Sequence, residues 1–216
     1  MNLDHIIQER IDEHLQVVGL LKNDSKFLTT LSEISNVITE CFKSGGKLLI
    51  CGNGGSAADS QHLATELVSR FFLERKALDA EALTVNTSTL TAVANDYSFD
   101  KVFSRQLEAK GKEGDVLLAI STSGNSKNII EAIKAAKSIG IKTIGFAGNN
   151  RDSLICKMSD YYVSIPSNST PRIQEAHILL GHIICEIVER YLFEKGGCLI
   201  LPSKTERNHQ LATGRS

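Results

Sequence analysis

The chain has 216 residues, 42% of them hydrophobic and 23% charged, with a formal net charge of -1. That length fits one α/β domain with a modest extension, and that balance excludes a nucleic-acid binder working by bulk charge. No apolar stretch is long enough to span a bilayer.

The start, Met1 to His5, lacks a basic segment followed by an apolar one, so no signal peptide is expected and the chain reads as cytoplasmic. Cys41, Cys51, Cys156, Cys185 and Cys198 are odd in number and scattered, which reads as reduced, mostly buried thiols. With no CxxC pair, a thiolate zinc site is not expected.

Residues 3–22 place Leu3, Ile7, Ile11, Val18 and Leu21 at helical spacing. A second helix over 26–43 carries Phe27, Leu28, Leu31, Ile34, Ile38 and Phe42, with Asn23-Asp24-Ser25 as linker and cap and Gly45-Gly46 as its end. An α/β sheet does not need two amphipathic helices ahead of its first strand, so residues 1–45 read as a helical pair that packs on another subunit.

Strands and helices then alternate. Strand 47–52 leads to helix 56–72, strand 82–86 to helices near 88–95 and 100–110, and strand 115–121 to helix 126–139. Strand 142–147 precedes a short helix near 152–158, and strand 161–165 precedes a long helix near 171–194. Alternation with near-continuous apolar strands predicts a parallel, doubly wound sheet, here a domain over 46–195. The tail, 196–216, has a short apolar run, Cys198 to Pro202, and then polar and basic residues.

Two loops follow strands and open helices. One reads Cys51-Gly52-Asn53-Gly54-Gly55-Ser56, the other Ser121-Thr122-Ser123-Gly124-Asn125-Ser126. Such loops aim backbone N–H groups and a helix N-terminus at an anion, and two of them in one sheet suggest a small phosphorylated ligand. Neither has the Lys of a nucleotide P-loop or the GxGxxG spacing. Ligands of such sheets bind beyond the carboxyl ends of the strands, where both loops fall.

His62 and Glu66 stand four apart on the helix after the first loop and share a face. They read as a surface pair, a metal-ligand pair, or a general base with a polar partner. On the last helix, His182 sits among Leu179, Leu180, Ile183 and Ile184 and reads as a core residue or a catalyst. Gln174 is eight residues from it, ~12 Å of rise and roughly 80° of rotation, so a cleft between subunits would help both reach one site. Asn95-Asp96 reads as a turn or as a contact to a sugar hydroxyl. His5, His14 and His209 read as helix-face or solvent residues, and Arg70, Arg75 and Lys76 as a solvated face.

Taken together, Cys51–Ser56 with His62 and Glu66, Ala94–Asp96, Gly114–Ser126 and Arg172–Glu175 with His177 and His182 resemble the sugar isomerase (SIS) domain family, and within it the phosphoheptose isomerases. The resemblance covers roughly residues 3–194 and implies a three-layer α/β sandwich on a five-stranded parallel sheet, assembled as a homotetramer with active sites at subunit interfaces. It implies an aldose–ketose isomerase that converts sedoheptulose 7-phosphate to glycero-manno-heptose 7-phosphate, the first step toward ADP- or GDP-heptose for lipopolysaccharide or capsule. It further implies that Ser121, Thr122, Ser123 and Ser126 hold the phosphate. Asn53, Gly54, Gly55, Ser56, Asn95, Asp96 and Gln174 contact substrate, Glu66 is the base and His182 its acid/base partner. His62, Glu66, Gln174 and His182 fall on the positions of one zinc ion per subunit. Pro171 replaces an acidic residue of some members.

The chemistry suits these residue types. Moving a carbonyl from C2 to C1 through a cis-enediol needs a carboxylate to shuttle a carbon-bound proton and a histidine to move protons at oxygen. The remote phosphate can hold the open chain in register. Two other readings stay open: a non-catalytic family member that binds the replication initiator, and another sugar-phosphate isomerase or sensor.

Overall fold

The computed structural model describes residues 2–194; the tail from 196, with Cys198 and His209, lies outside them. Five parallel strands, β1 (Leu48–Gly52), β2 (Ala80–Ala82), β3 (Val116–Ser121), β4 (Lys142–Ala147) and β5 (Tyr161–Ser164), form one sheet in the order β2-β1-β3-β4-β5. β1 and β3 are buried at every position, as strands covered on both faces must be.

Side chains alternate between two cores. Leu48 and Ile50 of β1, with Val116, Leu118 and Ile120 of β3, meet α2 (Ser25–Lys43), α3 (Gly55–Val68) and α8 (Thr170–Phe193) on one face. Leu49, Cys51, Leu117 and Ala119 meet α5 (Ser104–Lys110), α6 (Lys127–Ile139) and α7 (Leu154–Met158) on the other. The result is the three-layer sandwich expected. α4 (Thr87–Asp96) and a short 3-10 turn, Phe99–Lys101, precede α5.

The N-terminal helices divide their roles. Leu31, Ile34 and Ile38 of α2 are part of the chain's own core. α1 (Leu3–Lys22) buries only Val17 and Leu21 and leaves Leu3, Ile7, Ile11 and Leu15 exposed along one side. Polar contacts tie α1 to α8: His14 Nδ1 lies 2.8 Å from Glu175 Oε2, and Arg172 donates to the Arg10 carbonyl at 2.6 Å.

Two predicted bounds shift. The second strand runs Ala80–Ala82 instead of 82–86, because Asn86 turns out of line to cap α4 through the Thr89 N–H at 2.9 Å and Val85 faces solvent. α3 stops at Val68 instead of 72 because Glu189 of α8 takes the N–H groups of Phe71, Phe72 and Leu73. The partner of Glu189 is Arg75, a side chain only 1% exposed, which also donates to the carbonyls of Glu66, Leu67 and Ser69. Arg75 is therefore a buried clamp and not part of a solvated face; Arg70 is exposed.

His177 packs beneath the sheet's carboxyl edge. Its ring lies beside Phe146, its Nε2 donates to the Ala147 carbonyl at 3.2 Å, and its Nδ1 has no hydrogen-bond partner among the described residues. Burial pushes its pKa down to about 4, against the opposing pull of the Ala147 bond. An unfolded histidine takes its proton near pH 6.5, so the unfolded state binds more protons between those values and stability falls as pH drops through that window. This group alone is expected to remove about 3 kcal/mol by pH 4 and nothing above pH 7.5. Urea midpoints measured from pH 7.5 to 4 should fall more for the native sequence than for His177→Gln. Parallel curves would refute it.

Candidate active site

α3 leaves β1 toward one face of the sheet and α6 leaves β3 toward the other. The crevice between those divergent helices is where a doubly wound sheet takes ligands, and both glycine- and serine-rich loops line it.

The β3 loop gathers hydroxyls. Ser121 Oγ lies 3.3 Å from Ser123 Oγ and 3.1 Å from Ser126 Oγ. Ser126 is the N-cap of α6, yet its side chain makes no capping bond. Its hydroxyl joins the cluster instead, and the first N–H groups of α6 have no partner within the helix. Three hydroxyls and a helix N-terminus make a cradle for a phosphate. Gly124, at φ +67°, lets the loop close: a Cβ there would meet Ser153 Oγ at 2.4 Å. The Thr122 carbonyl accepts from the Gly148 N–H at 3.0 Å, which anchors the loop to β4's end.

In the β1 loop, the side chains of Asn53 and Asn128 bond reciprocally at 2.9 and 2.8 Å. Ser56 is buried, and its carbonyl accepts from Ser60 Oγ. The Gln174 amide fills the space beside Gly55: a Cβ there would lie 2.2 Å from Gln174 Nε2. Gln174 is thus seated over the first loop.

Down the seam between α3 and α8, three side chains converge. His62 Nε2 is 3.2 Å from Glu66 Oε1 and 3.4 Å from His182 Nε2, and one ligand atom from each residue lies within 4.8 Å of the others. Burial, then the neighbouring His62, lowers the pKa of His182, with Glu66 opposing. Two imidazole nitrogens and a carboxylate oxygen are a zinc-type donor set. Bonds of 2.0–2.1 Å in a tetrahedron put neighbouring donors roughly 3.3 Å apart, which the two short separations match.

Gln174 lies two turns up the seam, and Asn95 donates to its neighbour Asp96 at 2.9 Å on the exposed end of α4, paired there rather than with either loop. Two residues that the sequence left unremarked belong to the site. Asn128 is buried under the crevice. Asp59, one turn ahead of His62 on the same face of α3, has a carboxylate oxygen without a hydrogen-bond partner among the described residues, and burial pushes its pKa up to about 6 against the pull of His62. The spacing of Asp59 before His62 was a readable signal; nothing local marks Asn128.

The sequence profile of the SIS domain matches residues 21–148. A phosphoheptose isomerase from Clostridium acetobutylicum is 51% identical over 193 residues, 88% of this chain and 97% of that protein. The solved structure of phosphoheptose isomerase GmhA from Neisseria gonorrhoeae superimposes with a TM-score of 0.81 at 38% identity, over 87% of this chain and 99% of that one. A phosphoheptose isomerase from Francisella tularensis gives 0.83 at 33% identity, over 88% and 100%.

Proposed function

The chain belongs to the SIS-domain family, among its phosphoheptose isomerases, and on that premise we propose that it converts sedoheptulose 7-phosphate to D-glycero-D-manno-heptose 7-phosphate by an enediol route. The observation that carries this reading is the convergence of His62, Glu66 and His182 in a chain that also builds a hydroxyl cradle at the switch point of its sheet. A replication-initiator binder needs neither.

Ser121, Ser123, Ser126 and the start of α6 bind the phosphate, with Thr122 holding the loop's shape. Asn53, Gly54, Gly55, Ser56 and Gln174 orient the sugar chain. Glu66 takes the proton from C1 of the ketose and returns it to C2, while His182 moves a proton between the two oxygens. His62, Glu66 and His182 would hold one zinc ion per subunit, with a Gln174 amide oxygen joining them only where a neighbouring subunit completes the site. When bound, the ion supplies positive charge for the developing enediolate.

Glu66 lies three turns along α3 from Gly55, about 16 Å of helix rise. That separation supports a site completed by a neighbouring subunit, which would also bring Asn95 and Asp96 to substrate. The exposed Leu3, Ile7, Ile11 and Leu15 of α1 support a homotetramer. We place the reaction in the cytoplasm, feeding heptose for lipopolysaccharide or capsule. Among the described residues no helix is long and apolar enough to cross a membrane, and Cys41, Cys51, Cys156 and Cys185 are free.

The test is NMR of the purified protein with sedoheptulose 7-phosphate in D2O, with and without chelator. An aldoheptose 7-phosphate carrying deuterium at C2 is expected, with activity lost to chelator and restored by zinc. No conversion with metal supplied would overturn the assignment.

A further inference from the structure

We propose that Asn128 is a positioning residue for the isomerase, acting through Asn53 to lock the two substrate loops in register. The inference rests on the functional reading above and adds a residue that contacts no part of the proposed chemistry. Asn53 is the last residue before the turn into α3, and Asn128 is the second residue of α6. The loops they belong to follow β1 and β3, which pair side by side with Gly52 opposite Ile120, and then depart to opposite faces. Only side chains can therefore cross-link the loops beyond the last strand pair.

The amide pair is such a link. Asn53 Nδ2 donates to Asn128 Oδ1 at 2.9 Å, and Asn128 Nδ2 donates to Asn53 Oδ1 at 2.8 Å. Asn128 is buried, at 3% exposure, whereas Asn53 is half-buried at the crevice. An amide has two N–H donors and an oxygen with two lone pairs. The pairing uses one donor and one lone pair of Asn53 and fixes the direction of the other two, which remain available to a sugar hydroxyl and oxygen. The hydroxyl cradle of the β3 loop and Asn53 of the β1 loop are thereby held at one spacing. Register between the grip on a substrate and its reacting end matters steeply, since a 1 Å misplacement costs about 10²-fold in rate.

Asn128→Leu keeps the volume and removes both bonds. In the presence of zinc it should lower kcat for sedoheptulose 7-phosphate about 30-fold or more, with KM moving less than about threefold because the phosphate cradle is intact. Inorganic phosphate, titrated calorimetrically, should bind within about twofold of the native protein. If Asn128 acts through Asn53, the Asn53→Leu variant, which also gives up its sugar contacts, should lose at least as much, and the double variant no more than Asn53→Leu alone. A lowered melting temperature with unchanged kcat, or losses that multiply in the double variant, would overturn the proposal. Asn128→Asp, which keeps the acceptor and loses the donor, is the second variant should Asn128→Leu not fold; an intermediate loss is expected. Failure of both to fold assigns Asn128 to the fold alone and also overturns it. Native protein that does not turn over the heptose refutes the functional reading instead. The pairing itself is then read from the Asn53 side-chain amide protons by NMR, which should be protected from exchange in the native chain and unprotected in Asn128→Leu.

Discussion

Replacing Glu66 by Gln is expected to lower kcat by about 10³-fold while leaving the melting temperature unchanged. Gln has the same shape, and the side chain is a quarter exposed, so packing around it is insensitive to the swap. What disappears is the only group of the His62, Glu66, His182 cluster that can carry a carbon-bound proton as an anion. General-base catalysis contributes roughly 10²–10⁴-fold, and 10³-fold corresponds to about 4 kcal/mol of barrier. The assay is run at saturating zinc, so that weaker metal binding by the amide does not masquerade as loss of the base. A variant within about tenfold of the native kcat would remove Glu66 from the role of base.

The second large effect falls on stability. Glu189→Ala is expected to destabilise the fold by about 3–5 kcal/mol, the range for breaking one side of a buried ion pair. Burial by itself would raise the pKa of the Glu189 carboxyl. The N–H groups of Phe71, Phe72 and Leu73 and the Arg75 guanidinium outweigh it and hold the group below its ordinary value. Without the carboxylate, three backbone donors lose their partner and the Arg75 guanidinium, on a side chain 1% exposed, loses its counter-charge. Arg75 also donates to the Glu66 carbonyl at 2.9 Å, so the end of α3 that carries Glu66 loosens with it. Urea denaturation reads the loss directly. A change under about 1 kcal/mol would mean that water replaces the clamp without cost, contrary to its burial.

Much of this was legible in the chain, and for a physical reason. The elements whose signal is local came through: apolar runs at β1 and β3, helical spacing at α1, α2 and α8, and small or hydroxyl residues where the chain turns at each strand end. Contacts made across the fold did not. Arg75 looks like one cation among several beside Arg70 and Lys76, and only Glu189, over a hundred residues later, makes it a core residue. Asn128 sits in a helix-opening segment where a polar residue is unremarkable, and only the return of β3 beside β1 brings it under Asn53. The second strand was misplaced because Leu83 to Asn86 reads as a continuation of an apolar run, while Asn86 is needed as a helix cap.

The pairing of α8 with α2 and α3 also sets the order of biosynthesis. α8 supplies Gln174, His177, His182 and Glu189, and it packs on helices made more than a hundred residues earlier. A nascent chain emerging from the ribosome can complete β1 through β4, with α2 and α3 in place, and still leave open the part of that face that α8 covers. Leu63 of α3, which packs against Gly181 of α8, waits there until α8 arrives. During that interval the chain is a substrate for chaperones and proteases. Docking of α8 and assembly of the His62, Glu66, His182 cluster are one event, so a chain that escapes quality control has already brought those three side chains together.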